Sequence, residues 1–219
     1  MLTIHHLEDS RSQRILWLLE ELGVSYDLRR YARRDDMRAP DALRAVHPLG
    51  KAPVLVEGDR TIAETGAIVE YLLATHGQGR LMPPEGSDAW WQARHFLHHA
   101  EGTAMPPLLL TLVLSEIPKR APAFLRPILA PVMGRVHAAA VAPDLRRLLA
   151  YWDATLAPTG WFAGDEISAA DLMMSFPVEA AASRLDLSAH PALTGFLSRI
   201  HARPAYRRAL ERGGPYAYA

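Results

Sequence analysis

A short stretch rich in glycine and proline, QGRLMPPEGS at residues 78–87, separates two parts of the chain with different hydrophobic patterns. Before it, short apolar alternations are interleaved with longer segments of helical periodicity. After it, the pattern is helical throughout and rich in Ala, Leu and Arg. A length of 219 residues suits one large domain or two small ones. From the change of pattern we predict an α/β domain at 1–77, a linker at 78–87 and an all-helical domain at 88–219.

The first part is predicted to run βαβ, then a short helix, then ββα. The first strand–helix–strand order implies a right-handed parallel crossover. The second part is predicted to hold about five helices, with the prolines at 106, 107, 118, 122, 127 and 131 dividing the region after the first long helix into short segments. The predicted elements of the first part are strands at Leu2–Ile4 and Tyr26–Leu28, helices at Ile15–Leu22 and Ala39–Val46, a hairpin around Glu57–Arg60, and a helix from about Thr65 to Gly77.

Charge balance and cysteine content exclude several classes of function. The chain carries 24 Lys plus Arg and 24 Asp plus Glu, so it presents no general positive field to phosphates, and we predict no nucleic-acid partner. Cysteine is absent, which excludes disulfides, cysteine-ligated zinc, iron–sulfur clusters and a nucleophilic cysteine.

Targeting signals are not visible either. The opening MLTIHHLEDSRSQ has neither a basic region nor a long apolar stretch, so we expect no signal peptide. The most apolar stretch, Pro106–Ile117, is too short to cross a bilayer and contains Glu116. We therefore expect a cytoplasmic protein that does not enter the membrane.

The turn DSRSQR at Asp9–Arg14 connects the first predicted strand to the first helix. A helix N-terminus favours an anion, and a serine hydroxyl there can donate a hydrogen bond to a bound thiolate. Lowering a thiol pKa by about two units takes roughly 2.7 kcal/mol. One charge-assisted hydrogen bond of about 1.5–3 kcal/mol, together with the helix dipole, is enough. The alternative is that Ser10 and Gln13 form only a capping box, Ser-x-x-Gln.

A second motif is Lys51-Ala52-Pro53, placed where a strand begins. A cis bond before Pro53 would turn the backbone of Ala52 outward, where it can pair with a peptide ligand as an added strand. The alternative is an ordinary proline at a strand entry.

A third motif is Glu64-Thr65 at the start of the next helix. Thr65 is a good N-cap residue, and Glu64 can accept an ammonium group while the helix N-terminus holds a carboxylate. An α-amino-acid head carries both charges. The alternative is a simple helix cap.

Two histidines on the long helix after the linker have the spacing of a metal chelate. His95 and His99 lie at i and i+4. No HExxH pattern, cysteine or paired carboxylate accompanies them, which favours a solvated or interface helix, and we predict no metal site. Nearby apolar residues either line an apolar pocket or belong to the core: Trp90, Trp91, Met105 and Leu109.

Taken together, these motifs resemble those of the cytosolic glutathione transferases, with most similarity to the theta- and phi-related branch found in bacteria and fungi. The resemblance covers essentially the whole chain and implies a thioredoxin-like α/β domain followed by an all-α domain. It includes ISAAD at 167–171, where Ser168 and Asp171 would cap a buried helix with no catalytic role. The other matching segments are LEDSRSQRILWLLEELG at 7–23, RAP at 38–40, HPLGKAP at 47–53 and AETGAI at 63–68.

The resemblance also implies roles for individual residues. Asp9 stands where cysteine-type relatives have their nucleophile, so thiol-transfer chemistry is excluded. Ser10, or alternatively Ser12, would hydrogen-bond the glutathione sulfur. The remaining glutathione contacts would be Ala52 before a cis Pro53 for the cysteinyl part, Glu64 and Thr65 for the γ-glutamyl head, and Lys51 and Arg38 for the glycyl carboxylate.

The function that the resemblance implies is conjugation of the glutathione thiolate to a small apolar electrophile by a homodimer. Glutathione would be a substrate, and no metal would be needed. Two alternatives remain open from the sequence: a glutathione-dependent peroxidase or isomerase acting at the same site, and a non-catalytic binding protein that keeps the fold.

Overall fold

The computed structural model describes residues 1–36 and 38–218, and its first part is a four-stranded mixed sheet with three helices. The strand order is β2-β1-β3-β4, with β1 parallel to β2 and both other pairs antiparallel, so the predicted parallel crossover is confirmed. The elements are β1 (Leu2–Leu7), α1 (Gln13–Leu22), β2 (Asp27–Tyr31), α2 (Ala42–Val46), β3 (Val54–Glu57), β4 (Arg60–Ala63) and α3 (Thr65–His76).

Helix α1 is the central helix of the molecule. It packs against α3 and also against α8 (Ala169–Ala182) and α10 (Pro204–Gly213) from the second part of the chain. Because neighbours cover it on several sides, Ile15–Leu19 are all completely buried rather than only one face of the helix. The turn that precedes α1 thereby lies between the two parts of the chain.

The second part is helical, as predicted, so the predicted fold class is confirmed. The described residues form seven α-helices here rather than about five, and none is long and apolar enough to cross a membrane. The division into domains at 1–77 and 88–219 stays a prediction. Besides α8 and α10, the elements are α4 (Asp88–His99), a π-helical turn (Ala100–Ala104), α5 (Met105–Arg120), a 3-10 turn (Ala123–Leu125), α6 (Arg126–Ala140), α7 (Ala142–Leu156) and α9 (Pro191–His201).

The prediction that the prolines divide this region was wrong at two positions. Pro118 lies inside α5 and Pro131 lies inside α6, and neither ends its helix. A proline removes one helical hydrogen bond but does not by itself stop the helix when the freed carbonyl finds another partner. Because α6 buries none of its residues, water can supply that partner beside Pro131.

The helix cap predicted at Ser168 and Asp171 is confirmed. Asp171 is completely buried, and its two carboxylate oxygens accept backbone N–H groups from Ser168 and Phe162, each at 2.8 Å. Burial raises the pKa of Asp171 to about 6, although these hydrogen bonds oppose the rise. The cap fixes the start of α8, which packs on both α1 and α4.

Candidate active site

A cleft of about 830 Å³ lies between the sheet domain and the helices of the second part. Its walls come from the turn before α1, the loop before β3, the start of α3, the π-helical turn and α5. Ser12 does not line it. The other predicted site residues all do: Ser10, Arg38, Lys51, Ala52, Pro53, Glu64 and Thr65.

The two candidate serines occupy different environments. Ser10 is 7% exposed, and its hydroxyl donates to the carbonyl of Leu7 at 2.7 Å and accepts the N–H of Ser12 at 3.2 Å. Ser12 is completely buried, with its hydroxyl 2.8 Å from Nδ1 of His6 and 2.7 Å from the hydroxyl of Ser10. Burial lowers the pKa of His6 to about 4, so the imidazole in this chain of hydrogen bonds is neutral at neutral pH.

The capping box considered for this turn is not formed. Helix α1 begins at Gln13 with Ser12 in the N-cap position, and the buried side-chain amide of Gln13 makes no hydrogen bond to a described residue. The hydroxyl of Ser10 is turned toward Leu7 instead, because the chain makes an extra turn before the helix starts. Ser10 therefore stands outside the helix, at the cleft surface.

Unpaired donors surround Ser10. The backbone N–H groups of Ser10 and Arg11 make no hydrogen bond within the described residues, while the N–H of Gln13 bonds to the carbonyl of Ser10. Arg11 also lines the cleft, and its guanidinium group is paired with Glu101. Free N–H groups, a helix N-terminus and a nearby cation together favour an anion at this point.

The loop before β3 brings a backbone edge to the cleft. The predicted cis bond between Ala52 and Pro53 is present. Within the described residues, no hydrogen bond engages the backbone of Ala52. Gly50 has a left-handed backbone with φ of 56°, which suits glycine. The exposed side chain of Lys51 lies at the rim of the cleft.

Helix α3 begins at Thr65, as predicted, but its N-cap lies one residue earlier than expected. Glu64, not Thr65, is the N-cap residue, because the carbonyl of Glu64 accepts the N–H of Ile68 at 3.0 Å. Thr65 is buried, and its hydroxyl accepts a hydrogen bond from Arg14 at 3.4 Å. Glu64 has φ of 71°, a strained conformation for a residue with a side chain, and its carboxylate is exposed to the cleft.

A group of three charged residues behind Ser10 was not predicted. Arg14, which is 1% exposed, donates to the carboxylate of Glu101 and to the carbonyl of Met173, the latter at 2.7 Å. Arg11 donates to the other oxygen of Glu101 at 2.5 Å. Burial alone would raise the pKa of Glu101, but the two guanidinium groups hold it below its usual range. Spacing gives no sign of this group, since 87 residues separate Arg14 from Glu101.

Apolar side chains from α5 and α8 form the other wall of the cleft. Met105 and Leu109 line it, as one of the two interpretations suggested, whereas Trp90 and Trp91 do not. Trp91 is 60% exposed, so it belongs to neither the cleft nor the core. The other lining residues on this side are Leu108, Leu112, Phe176, Arg184 and Tyr218.

The histidine pair on α4 is structural. His99 is buried and accepts a hydrogen bond from Nε1 of Trp152 at 2.9 Å, and burial lowers the pKa of His99 to about 4. His95 lies 3.2 Å from the hydroxyl of Tyr151. Over residues 1–36 and 38–218, no group of three or more His, Cys, Asp or Glu side chains is placed to hold a metal ion.

Comparisons with known proteins agree with this architecture. The family model described as "Glutathione S-transferase, N-terminal domain" matches residues 10–75, and "Glutathione S-transferase, C-terminal domain" matches residues 117–204. Glutathione S-transferase 3 of Schizosaccharomyces pombe is 34% identical over 97% of this chain and 88% of its own length.

Solved structures give the same result. A glutathione S-transferase from Actinobacillus pleuropneumoniae is 32% identical with a TM-score of 0.82, covering 100% of this chain and 95% of its own. A sphingomonad glutathione S-transferase complexed with glutathione is 23% identical with a TM-score of 0.73, covering 97% of this chain and 98% of its own. At 23% identity, the similarity to the sphingomonad protein shows a shared fold only.

Proposed function

Since the chain belongs to the glutathione S-transferase family, we propose that it binds glutathione in the cleft and transfers its thiolate to small apolar electrophiles. The observation that carries this proposal is the gathering of seven predicted contact residues around one cleft that also has an apolar wall. A tripeptide with two carboxylates, one ammonium and a thiol needs this mixture of cations, an anion and free backbone groups.

Ser10 is proposed to hold the sulfur. It lines the cleft and stands beside two free N–H groups, whereas Ser12 is completely buried. When a thiolate arrives, the hydroxyl of Ser10 can turn from the carbonyl of Leu7 to the sulfur. Ser12 then positions Ser10, because its N–H and its hydroxyl both contact the Ser10 oxygen.

The rest of the tripeptide is proposed to follow the cleft. The free backbone of Ala52 would pair with the cysteinyl residue, and Glu64 with the start of α3 would hold the γ-glutamyl ammonium and carboxylate. Lys51 and Arg38, both exposed at the rim, would face the glycyl carboxylate. The thiolate is thereby directed toward the apolar wall, where the electrophile would lie.

The test compares Ser10→Ala with Ser12→Ala. Loss of the Ser10 hydroxyl should raise the pKa of the bound glutathione thiol by about one to two units. The thiolate fraction at neutral pH, and with it the turnover of 1-chloro-2,4-dinitrobenzene, should then fall by about 3- to 25-fold. The thiol pKa is read from the ultraviolet absorbance of the thiolate across a pH series. Ser12→Ala should change this pKa less and protein stability more.

An unchanged thiol pKa in Ser10→Ala, with a raised one in Ser12→Ala, would transfer the role to Ser12. Calorimetry with glutathione, together with the turnover assay, tests the non-catalytic alternative. If the protein binds glutathione but converts no electrophile, only the binding part of the proposal stands. Profiling with peroxides and with isomerisable substrates separates the other two alternatives, which share the glutathione site.

Several further proposals rest on family resemblance. These are membership of the theta- and phi-related branch, a homodimeric state, a cytoplasmic location and activity without a metal. Size-exclusion chromatography with light scattering tests the dimer, and retention of activity after treatment with a chelator tests the metal.

A further inference from the structure

The tail that follows α10 returns across the turn that holds Ser10. The N–H of Ala217 donates to Oδ1 of Asp9 at 2.7 Å, and the hydroxyl of Tyr216 donates to Oε2 of the buried Glu179 at 2.5 Å. Asp9 precedes Ser10 in the chain, and Ala217 precedes Tyr218. The first of these hydrogen bonds therefore places Tyr218 next to the sulfur position proposed above.

Tyr218 belongs to the apolar wall but presents a polar group there. Its ring lies 5.2 Å from the ring of Phe176, in an edge-to-face arrangement, and both rings line the cleft. Arg184, which also lines the cleft, donates to the hydroxyl oxygen of Tyr218 at 3.3 Å and to the carbonyl of Ala180 at 2.9 Å.

The direction of that hydrogen bond determines what Tyr218 can do. A guanidinium group only donates, so the hydroxyl of Tyr218 is the acceptor and keeps its own proton to donate. No acceptor for this proton is found in the part of the chain that the structure describes. Two donors, the hydroxyl and the guanidinium group, thus meet at the edge of an aromatic surface, and the hydroxyl proton has no acceptor among the described residues.

We propose that Tyr218 and Arg184 form an oxygen-binding subsite for the electrophile, which selects planar substrates whose reactive carbon is conjugated to a carbonyl group. This inference rests on the proposed function and specifies its second substrate. The aromatic wall at Phe176 accommodates the planar part of such a substrate, and the two donors receive its oxygen.

In the addition step, a sulfur electron pair of the glutathione thiolate forms a bond to the β-carbon of the conjugated carbonyl compound. The π pair of the carbon–carbon double bond moves toward the carbonyl carbon, and the carbonyl π pair becomes the enolate oxygen's charge. Tyr218 and Arg184 donate hydrogen bonds to that oxygen as its charge develops. A proton from water then adds to the α-carbon and replaces the proton that the thiol released on binding.

The test is the variant Tyr218→Phe, which keeps the ring and removes the donor. Its turnover of benzylideneacetone should fall about 10-fold. This loss is smaller than the roughly 10²- to 10³-fold loss that follows removal of a fully buried oxyanion donor. Its turnover of benzyl chloride, in which charge develops on chloride and not on oxygen, should change less than about twofold, because the oxygen subsite is not used. The KM for glutathione should stay the same for both substrates.

The matched control is Tyr151→Phe, which makes the same change on α7 at a tyrosine outside the cleft. It should leave both reactions unchanged. Arg184→Gln, the second variant, should follow Tyr218→Phe in affecting the carbonyl substrate more than the chloride.

Equal losses for both electrophiles in Tyr218→Phe would mean that the hydroxyl has only a structural role, and an unchanged rate with benzylideneacetone would mean that it has none. Either result overturns the oxygen subsite while wild-type conjugation of benzyl chloride leaves the proposed function standing. A wild-type protein that conjugates neither electrophile overturns the proposed function itself, and the subsite with it.

Discussion

Replacing Glu101 by Gln should weaken the contact between the two parts of the chain and so lower the stability of the protein. Glu101 lies in the π-helical turn between α4 and α5, yet its partners come from the sheet domain: Arg11 lies in the turn before α1, and Arg14 lies in the first turn of α1. The side chain of Arg14 is 1% exposed and that of Glu101 is 28% exposed, so the guanidinium group depends on this carboxylate for compensation of its charge. Gln keeps the size and one acceptor oxygen but removes the negative charge.

The expected loss is large for a change of one functional group. Removing one partner of a buried ion pair costs about 3–5 kcal/mol, because the remaining charge stays buried without compensation. We expect a value near the lower end, about 3 kcal/mol, because Gln can still accept one hydrogen bond and Glu101 is partly exposed. The same loss should be smaller in an Arg14→Met background, where no buried charge is left, and the two substitutions should therefore be coupled by about 2 kcal/mol.

Urea denaturation of the wild type, the two single variants and the double variant measures these values at constant slope. The matched control is Glu116→Gln, the same substitution on neighbouring α5. The carboxylate of Glu116 pairs with the exposed Lys119 at 2.8 Å, so its loss should change stability little. A loss in Glu101→Gln no greater than in the control, or strictly additive effects with Arg14→Met, would refute the view that this ion pair holds the sheet domain against the helices.

Two further predictions concern strain and pH. Glu64→Gly and Glu64→Ala should raise the KM for glutathione equally, because both remove the carboxylate. The φ of 71° at this position suits glycine, so the Gly variant should be more stable than the Ala variant by about 1 kcal/mol. Equal stability of the two variants in thermal unfolding would contradict backbone strain at Glu64. The folded protein lowers the pKa of His99 from 6.5 to about 4. As the pH falls below 6.5, His99 therefore takes up a proton in the unfolded chain before it does so in the folded protein. The free energy of unfolding should consequently drop by up to about 3 kcal/mol between pH 6.5 and pH 4. His99→Gln should remove that part of the acid sensitivity in urea titrations at each pH and leave the part due to His6, and an unchanged pH slope would show that His99 is not the group responsible.

The fold was predictable because its elements have strong local signals. Strand β1 alternates, α1 ends at a glycine, and the linker at 78–87 coincides with the change from mixed to helical pattern. The helix boundaries in the second part were not predictable, because proline was read as a helix end. Whether Pro118 and Pro131 end a helix depends on what replaces the lost hydrogen bond, and that is a property of the surroundings, not of the proline.

The side of the cleft that is proposed to bind glutathione could be predicted for a topological reason. The turn before α1, the loop before β3 and the start of α3 all lie at one end of the sheet, because His5 in β1 pairs with Val54 in β3, and Val54 pairs with Ala63 in β4. Residues at these three points therefore come together once the sheet forms. The electrophile side has no such constraint. Tyr218 reaches the cleft because the C-terminal tail is held by hydrogen bonds to Asp9 and Glu179. The first of these bonds spans 208 positions in the sequence, and no local pattern indicates it.

The choice between Ser10 and Ser12 shows where sequence spacing stops being informative. Both serines lie just before the first helical residue, Gln13, and either could face a ligand if the helix began one residue earlier or later. Two buried groups fix the start: the imidazole of His6 holds the hydroxyl of Ser12, and the Leu7 backbone N–H donates to the same oxygen at 3.2 Å. Because β1 supplies both groups, the strand and not the helix decides which serine reaches the cleft. His6→Leu should consequently loosen this choice, lowering turnover through a misplaced Ser10 even though His6 itself does not line the cleft.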